Sequence, residues 1–83
     1  MENKVLINLI VPELEKSYNI YLPISKRIGN VIFLLIKAIN EMGDNYEFNE
    51  SLALFSRMTG EKYNPNSLVI ETNIRNGSEI VLL

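Results

Sequence analysis

Three carboxylates stand close together in the middle of the chain and are the first candidates for chemistry. Asp44, Glu47 and Glu50 fall within seven residues, and clustered carboxylate oxygens are ligands that Ca²⁺ prefers. A calcium-binding loop, however, needs oxygen donors at alternating positions around a tight glycine turn, and this spacing lacks that pattern. We therefore predict a solvated acidic loop and no metal site.

Acid–base and nucleophilic chemistry lack their usual residues in this sequence. The chain has no histidine and no cysteine, which removes the commonest general base, the reactive thiolate and Cys-ligated zinc. Its serines have no imidazole to activate them. Its four glycines stand singly rather than in a phosphate-binding loop. We predict that the chain is not an enzyme and that it uses no cofactor.

Composition and charge narrow the classes of partner. The chain has 83 residues, of which 47% are hydrophobic, and a net charge of −2 with its basic residues spread singly. This size predicts one domain, residues 1–83, without the basic footprint of a nucleic-acid-binding protein. The longest apolar stretch, residues 31–36, is far shorter than the ~20 residues that span a bilayer, and no signal-peptide pattern opens the chain. We predict a cytoplasmic protein that binds no nucleic acid and does not insert into membranes.

Two strands are predicted at the start of the chain. Residues 4–11 alternate with a period of two, which is typical of a strand, and Pro12 ends the pattern because proline cannot donate to a ladder. Residues 17–22 alternate again and end at Pro23. The few polar residues between the two segments predict a hairpin. The apolar side chains that share its inner face are Val5, Ile7, Leu9, Val11, Tyr18, Ile20 and Leu22.

A single long helix is predicted next, over about residues 28–42. Its apolar residues recur at helical spacing and form one stripe; they are Ile28, Ile32, Leu35, Ile39 and Met42, with Val31 and Ile36 widening the stripe. Ser25 is the expected N-cap, and Gly43 is the expected residue just past the C-terminus. Gly29 near the helix start costs about 1 kcal/mol relative to alanine, and the sequence alone gives no reason for it.

The second half of the chain is predicted to contain short elements. They are a strand over 52–58, a very short strand over 61–63, a helical turn over 68–71 capped by Ser67, and a final strand over 78–83. Ile74 is expected to anchor the loop before an Asn76-Gly77 turn. The first and last strands have the strongest apolar alternation, so we expect them to pair at the centre of the sheet. The predicted fold is α+β, a mixed sheet of four to five strands packed on one long helix.

This order of elements resembles the ubiquitin-like β-grasp fold over essentially the whole chain. The resemblance rests on the opening hairpin, the Ile-Gly-Asn-Val start of the helix at Ile28, the strand–turn–strand from 54 to 63, and the ending Leu68…Asn73-Ile74…Ile80-Val81-Leu82. Conjugated relatives of ubiquitin and the small sulfur carriers end in a flexible Gly-Gly tail, whereas bulky Leu83 ends this sequence. A tail-less protein of this length is similar to the YukD/EsaB family of Gram-positive bacteria.

That resemblance implies a function. YukD/EsaB proteins are small cytosolic accessory components of type VII (WXG100/Esx) secretion systems, so we expect a non-conjugated protein–protein interaction module. Two alternatives remain open: a covalent modifier or sulfur carrier whose tail is not present here, and a ubiquitin-like domain of a larger membrane secretion subunit.

The sheet face that points away from the helix is the predicted partner-docking surface. If the inner-face residues cover the helix, alternation places an apolar set on the opposite side, interrupted by polar residues but with a contiguous apolar centre: Leu6, Ile10, Tyr21, Phe55, Val81 and Leu83. Alternation does not decide whether Leu54 or Phe55 joins this face. A contiguous apolar surface indicates a site for a protein partner, self-association included, whereas scattered exposed apolar residues are ordinary.

Phe33 and Leu34 form a second candidate surface on the helix. At about 100° per residue they flank Lys37 and point away from the core stripe. We favour the interpretation that they cover loop residues such as those of 44–50. If they are exposed, they form a second hydrophobic docking face.

Overall fold

A computed structural model describes residues 3–83 of the chain. Its strands are β1 (Lys4–Val11), β2 (Lys16–Pro23), β3 (Leu54–Ser56) and β4 (Glu79–Leu82), and its one α-helix, α1, covers Ile28–Glu41. Two short 3₁₀ helices cover Pro12–Leu14 and Val69–Glu71. The four strands form one mixed sheet in the order β2-β1-β4-β3.

The predicted centre of the sheet is confirmed. Strand β1 pairs in parallel with β4, placing Leu9 beside Ile80, and in antiparallel with β2 over the full length of both strands. Strand β4 pairs in antiparallel with β3. The inner faces of β1 and β4 and the α1 stripe supply most of the core, whose fully buried side chains include Ile7, Leu9, Val11, Ile28, Val31, Leu35, Ile39, Leu54, Ile80 and Leu82.

The start of α1 is capped differently from the prediction. Ser25 is not the N-cap; Arg27 occupies that position and makes no side-chain cap hydrogen bond. Instead, the N–H groups of Ile28 and Gly29 donate to the main-chain carbonyls of Ser67 and Pro65, at 2.9 and 3.0 Å. A Cβ atom at position 29 would lie 3.3 Å from the Pro65 carbonyl oxygen. Glycine is therefore explained by the close approach of a distant loop, whose carbonyls satisfy N–H groups that every helix leaves unpaired.

The end of α1 agrees with the prediction only in part. Gly43 follows the helix with φ +99°, a left-handed conformation that suits glycine after a helix C-terminus. Met42, however, does not extend the buried stripe, because it is the C-cap residue and is 55% exposed. The core stripe thus ends at Ile39, one turn earlier than predicted.

The short elements of the second half are smaller than predicted. Strand β3 contains three residues, because the chain turns at 57–59. The predicted strand at 61–63 is a single bridge between Phe55 and Lys62. The helical turn begins at Val69 with Leu68, not Ser67, at its N-cap. Ile74 is buried as expected, and the Asn76-Gly77 turn is present with Gly77 at φ +89°.

Candidate functional site

An apolar row crosses the outer face of the sheet, the face away from α1. Ile10 of β1 lies beside Val81 of β4, and Val81 lies opposite Phe55 of β3. These three half-buried side chains define what we call the apolar row. The sequence did not decide whether Leu54 or Phe55 lies on the outer face. The structure places Phe55 there, because Leu54 is fully buried.

Leu83 extends this surface by one pleat beyond Val81. Its main chain is held to Ala53 by two hydrogen bonds, Leu83 N–H to the Ala53 carbonyl at 3.1 Å and Ala53 N–H to the Leu83 carbonyl at 3.0 Å. Its side chain remains 60% exposed. The apolar row therefore continues into an exposed leucine whose backbone is fixed by the sheet.

A polar row runs across the sheet beside the apolar row. Asn8 of β1 lies between Asn19 of β2 and Glu79 of β4. The Asn8 side-chain amide donates to Asn19 Oδ1 at 3.2 Å, and Arg57 Nη1 contacts Glu79 Oε1 at 3.2 Å. Exposed polar contacts of this kind add little stability. Their effect is to keep this row of the face hydrated.

The predicted docking face is consequently divided. Leu6 pairs with Tyr21 across β1 and β2, on the other side of the polar row from Ile10. Both are exposed, Leu6 at 37% and Tyr21 at 60%. The expectation of one contiguous apolar centre is wrong: the strand register separates Leu6 and Tyr21 from the apolar row. Alternation places residues on a face, whereas only register places them side by side.

The helix surface at Phe33 both covers a loop residue and remains partly exposed, so each of the two interpretations of the sequence holds in part. Phe33 stacks on Phe48 of the following loop, with ring centroids 4.4 Å apart, so it covers a loop residue as we favoured. It nevertheless remains 53% exposed, and Leu34 remains 44% exposed. The stack forms one wall of a groove of about 460 Å³ between the start of α1 and the chain around Leu52–Leu54 and Tyr63.

The acidic loop is solvated except at its first carboxylate. Glu47 and Glu50 are exposed, whereas Asp44 accepts hydrogen bonds from Lys16 Nζ and Tyr18 Oη of β2, each at 2.6 Å. The hydrogen bond from Lys16, and to a lesser extent the one from Tyr18, holds the pKa of Asp44 below its usual value. Two causes raise the pKa of Tyr18 to about 12: the larger is partial burial, and the second is the hydrogen bond to the Asp44 carboxylate. Across residues 3–83 no cluster of acidic side chains is arranged to hold a metal ion. The Asp44 contact is thus a structural clamp that joins the loop to β2.

This clamp predicts a pH dependence at both extremes. Tyr18 keeps its proton more tightly in the folded chain than at its ordinary pKa of 10, so its stabilising contribution is present below pH 10 and is lost as pH rises towards about 12. Asp44 has a lowered pKa, so its contribution is present above about pH 4 and is lost below it. Ultraviolet titration should show phenol ionisation that extends well above pH 10, because the pKa values of Tyr18 and Tyr46 are both raised.

Removing the clamp should change that titration in a defined way. In Asp44→Asn the Tyr18 phenol should ionise at a lower pH than in the wild type, because the carboxylate no longer opposes the phenolate. The part of the acid-induced loss of stability that comes from protonating Asp44 should disappear. Glu47→Asn, an exposed neighbour in the same loop, serves as the control. Identical titrations of the two variants would show that Asp44 does not act on Tyr18.

Met58 is the most exposed of the large apolar residues that the sequence analysis did not identify. Met58 was assigned to a strand, but it lies in the turn after β3 and is 93% exposed. It is close in the chain to Arg57 of the polar row. The signal that could have found it is its position immediately before Thr59-Gly60, which favours a turn rather than a strand.

Comparison with known proteins identifies the fold. The sequence matches no protein-family model and no curated protein. A solved structure described as "Molecular Mimicry of SUMO promotes DNA repair" superposes with a TM-score of 0.80 at 15% identity, over 98% of this chain and 91% of that chain. The EccD5 ubiquitin-like domain from Mycobacterium xenopi gives 0.76 at 16% identity, over 96% and 92%.

A third similar structure is the ubiquitin-like domain of the type VII secretion protein ECCD1 from Mycobacterium tuberculosis. It superposes with a TM-score of 0.74 at 10% identity, over 96% of this chain and 97% of that chain. At such identities similarity shows the fold alone. None of the helices among residues 3–83 has the length and apolar character needed to cross a bilayer. The chain has the ubiquitin-like β-grasp fold, with a mixed four-stranded sheet packed on one helix.

Proposed function

We propose that this chain is a non-conjugated ubiquitin-like module that docks on a subunit of a type VII secretion system in the cytoplasm, without catalysing a reaction. The observation that carries the proposal is the apolar row. Ile10, Val81 and Phe55 come from three neighbouring strands, so their relative positions are fixed by the ladder. A rigid apolar surface of this kind suits a protein partner, because little side-chain entropy is lost on binding.

The fold adds support for the secretion context. Two similar structures are ubiquitin-like domains of type VII secretion proteins, EccD5 and ECCD1. The resemblance of the sequence to YukD/EsaB proteins points to the same apparatus, and favours a single-domain accessory protein. The docking site then consists of Ile10, Phe55, Val81 and Leu83, with Leu6 and Tyr21 as a separate contact across the polar row.

Ile10→Asp tests the proposed docking site. A charge in the middle of the apolar row must be desolvated on binding, so affinity for the secretion-system subunit that the wild type binds should fall at least about tenfold, as for loss of a central interface residue. Titration calorimetry measures the affinity. Release of a WXG100 protein into the medium, by a deletion strain that carries the variant, measures the function.

Two further variants make the result interpretable. Asn30→Asp adds the same charge on the exposed side of α1 and should bind and secrete as the wild type does. If the circular dichroism spectrum shows that Ile10→Asp is not folded, Phe55→Ser tests the same surface, because it replaces another side chain of the apolar row with a polar one. Normal secretion by a folded Ile10→Asp protein would contradict the proposal.

A further inference from the structure

The outer edge of β2 is open. Asn8 N–H donates to the Ser78 carbonyl, and the Leu6 carbonyl accepts from Gly77 N–H, so the even-numbered residues of β1 bond towards β4. Its odd-numbered residues therefore bond towards β2, where their partners are Lys16, Tyr18, Ile20 and Leu22.

The residues of β2 that lie between these partners direct their main-chain N–H and carbonyl groups away from the sheet; they are Ser17, Asn19 and Tyr21. All three are exposed, and no strand or bridge within residues 3–83 pairs with that side of β2.

The opposite edge of the sheet is closed by the chain itself. Ser56 N–H donates to the Glu61 carbonyl and Tyr63 N–H donates to the Leu54 carbonyl, each at 2.9 Å. The segment around Lys62 thus covers β3 even though it is too short to form a strand. Within residues 3–83 the sheet consequently offers one extended free edge rather than two.

The free edge also lacks the usual protection against pairing. Proteins guard such edges with charged side chains, prolines or bulges. Between Lys16 and Pro23, at the two ends of β2, the strand Ser-Tyr-Asn-Ile-Tyr-Leu contains no charged residue and no proline. The charge of Lys16 is neutralised by Asp44 at 2.6 Å, which weakens its repulsion of a second strand.

We propose that two copies of this chain pair through their β2 edges, antiparallel about a two-fold axis at Asn19. This register places Asn19 opposite Asn19 of the partner subunit, and Ser17 opposite Tyr21 of the partner subunit. It is the register that uses all three outward residues of both copies, each opposed pair exchanging two main-chain hydrogen bonds. A two-fold contact of identical edges is self-complementary. Since the second edge of each sheet is covered, the assembly closes at two copies and forms no fibre.

The geometry of the dimer bears on the docking surface. A two-fold axis perpendicular to the joined sheet keeps both outer faces on one side. The polar row of each copy then meets its counterpart at Asn19, and two apolar rows are displayed on a single face. A partner that presents two sites would bind both rows at once, with the second contact made at high effective concentration.

Two variants of opposite charge at position 19 test this pairing. By light scattering, the mass of the wild type should rise from 9.5 kDa towards twice that value with increasing concentration. Asn19→Lys and Asn19→Asp should each remain monomeric, because like charges directly opposite each other across strands destabilise the pair. An equimolar mixture of the two variants should recover the doubled mass, since the ammonium group introduced in one copy then faces the carboxylate introduced in the other.

A control variant and a second measurement complete the design. Asn30→Lys carries the same added charge on the exposed side of α1 and should associate as the wild type does. Amide hydrogen exchange of Ser17, Asn19 and Tyr21 should slow with concentration in the wild type and not in Asn19→Lys. Circular dichroism confirms that each variant is folded.

Three outcomes would overturn the proposal. The first is a wild type that stays monomeric up to about 1 mM, the weak end of specific association. The second is a dimer that persists in both charged variants, or whose mixture does not recover. The third is a monomer whose residues 17–21 become protected only on addition of an extended peptide, which would make the edge a peptide site instead.

Discussion

Leu35→Ala should lower the free energy of unfolding by about 2–5 kcal/mol, the range for truncating a buried leucine. Leu35 is completely buried in the middle of α1, where its side chain fills the space between the helix and the sheet. The loss combines the transfer of its methyl groups with the cavity that remains. A domain of 83 residues has roughly 0.05–0.15 kcal/mol of stability per residue. This single change therefore removes a large fraction of the total.

The neighbouring residue gives a matched control for that experiment. Leu34→Ala makes the same chemical change at a site that is 44% exposed, and should cost no more than about 0.5 kcal/mol, as for an ordinary surface substitution. Urea unfolding with an unchanged m-value compares the two. Similar losses for both variants would mean that the buried stripe of α1 is assigned to the wrong face.

Ile80→Asp should prevent folding, whereas Val81→Asp should not. Ile80 is completely buried on the inner face of β4, beside Leu9 at the centre of the sheet. An unpaired charge there costs several kcal/mol, comparable with the whole stability of the domain. Val81 is one residue along the same strand, but on the outer face and half-buried, where a carboxylate remains partly hydrated.

The two β4 variants separate stability from binding. Circular dichroism and hydrogen exchange should show an unfolded chain for Ile80→Asp and a folded one for Val81→Asp. The latter lies in the apolar row and should instead weaken partner binding, as Ile10→Asp does. A folded Ile80→Asp protein would show that β4 does not lie at the core.

The sequence predicts those features that depend on local spacing. Alternation identified β1, β2 and the inner face of β4, and the 3.6-residue period placed Leu35 and Ile39 in the core. These assignments succeed because each pattern extends over several residues and one face of each element is buried. The same reasoning could not assign Leu54 and Phe55, because β3 is too short for its alternation to be recognised.

Features that depend on distant contacts could not be predicted. Ser25 has the right chemistry for an N-cap, yet the loop at Pro65 and Ser67 supplies carbonyls to the helix start, and only the folded chain shows that approach. Gly29 has the same explanation. The polar row depends on the register between β1 and β4, which joins residues about 70 positions apart. Register of this kind follows from the whole sheet and leaves no local signal.

The parallel pairing of β1 with β4 also has a consequence for biosynthesis. Residues 8–10 pair with residues 79–81, so the middle of the sheet cannot form until residues 79–81 have left the ribosome. Until then the nascent hairpin exposes Ile7 and Leu9, which are buried in the finished protein. Such unpaired apolar edges are prone to aggregation. Nascent chains of this protein should therefore be clients of ribosome-associated chaperones until β4 has emerged from the ribosome.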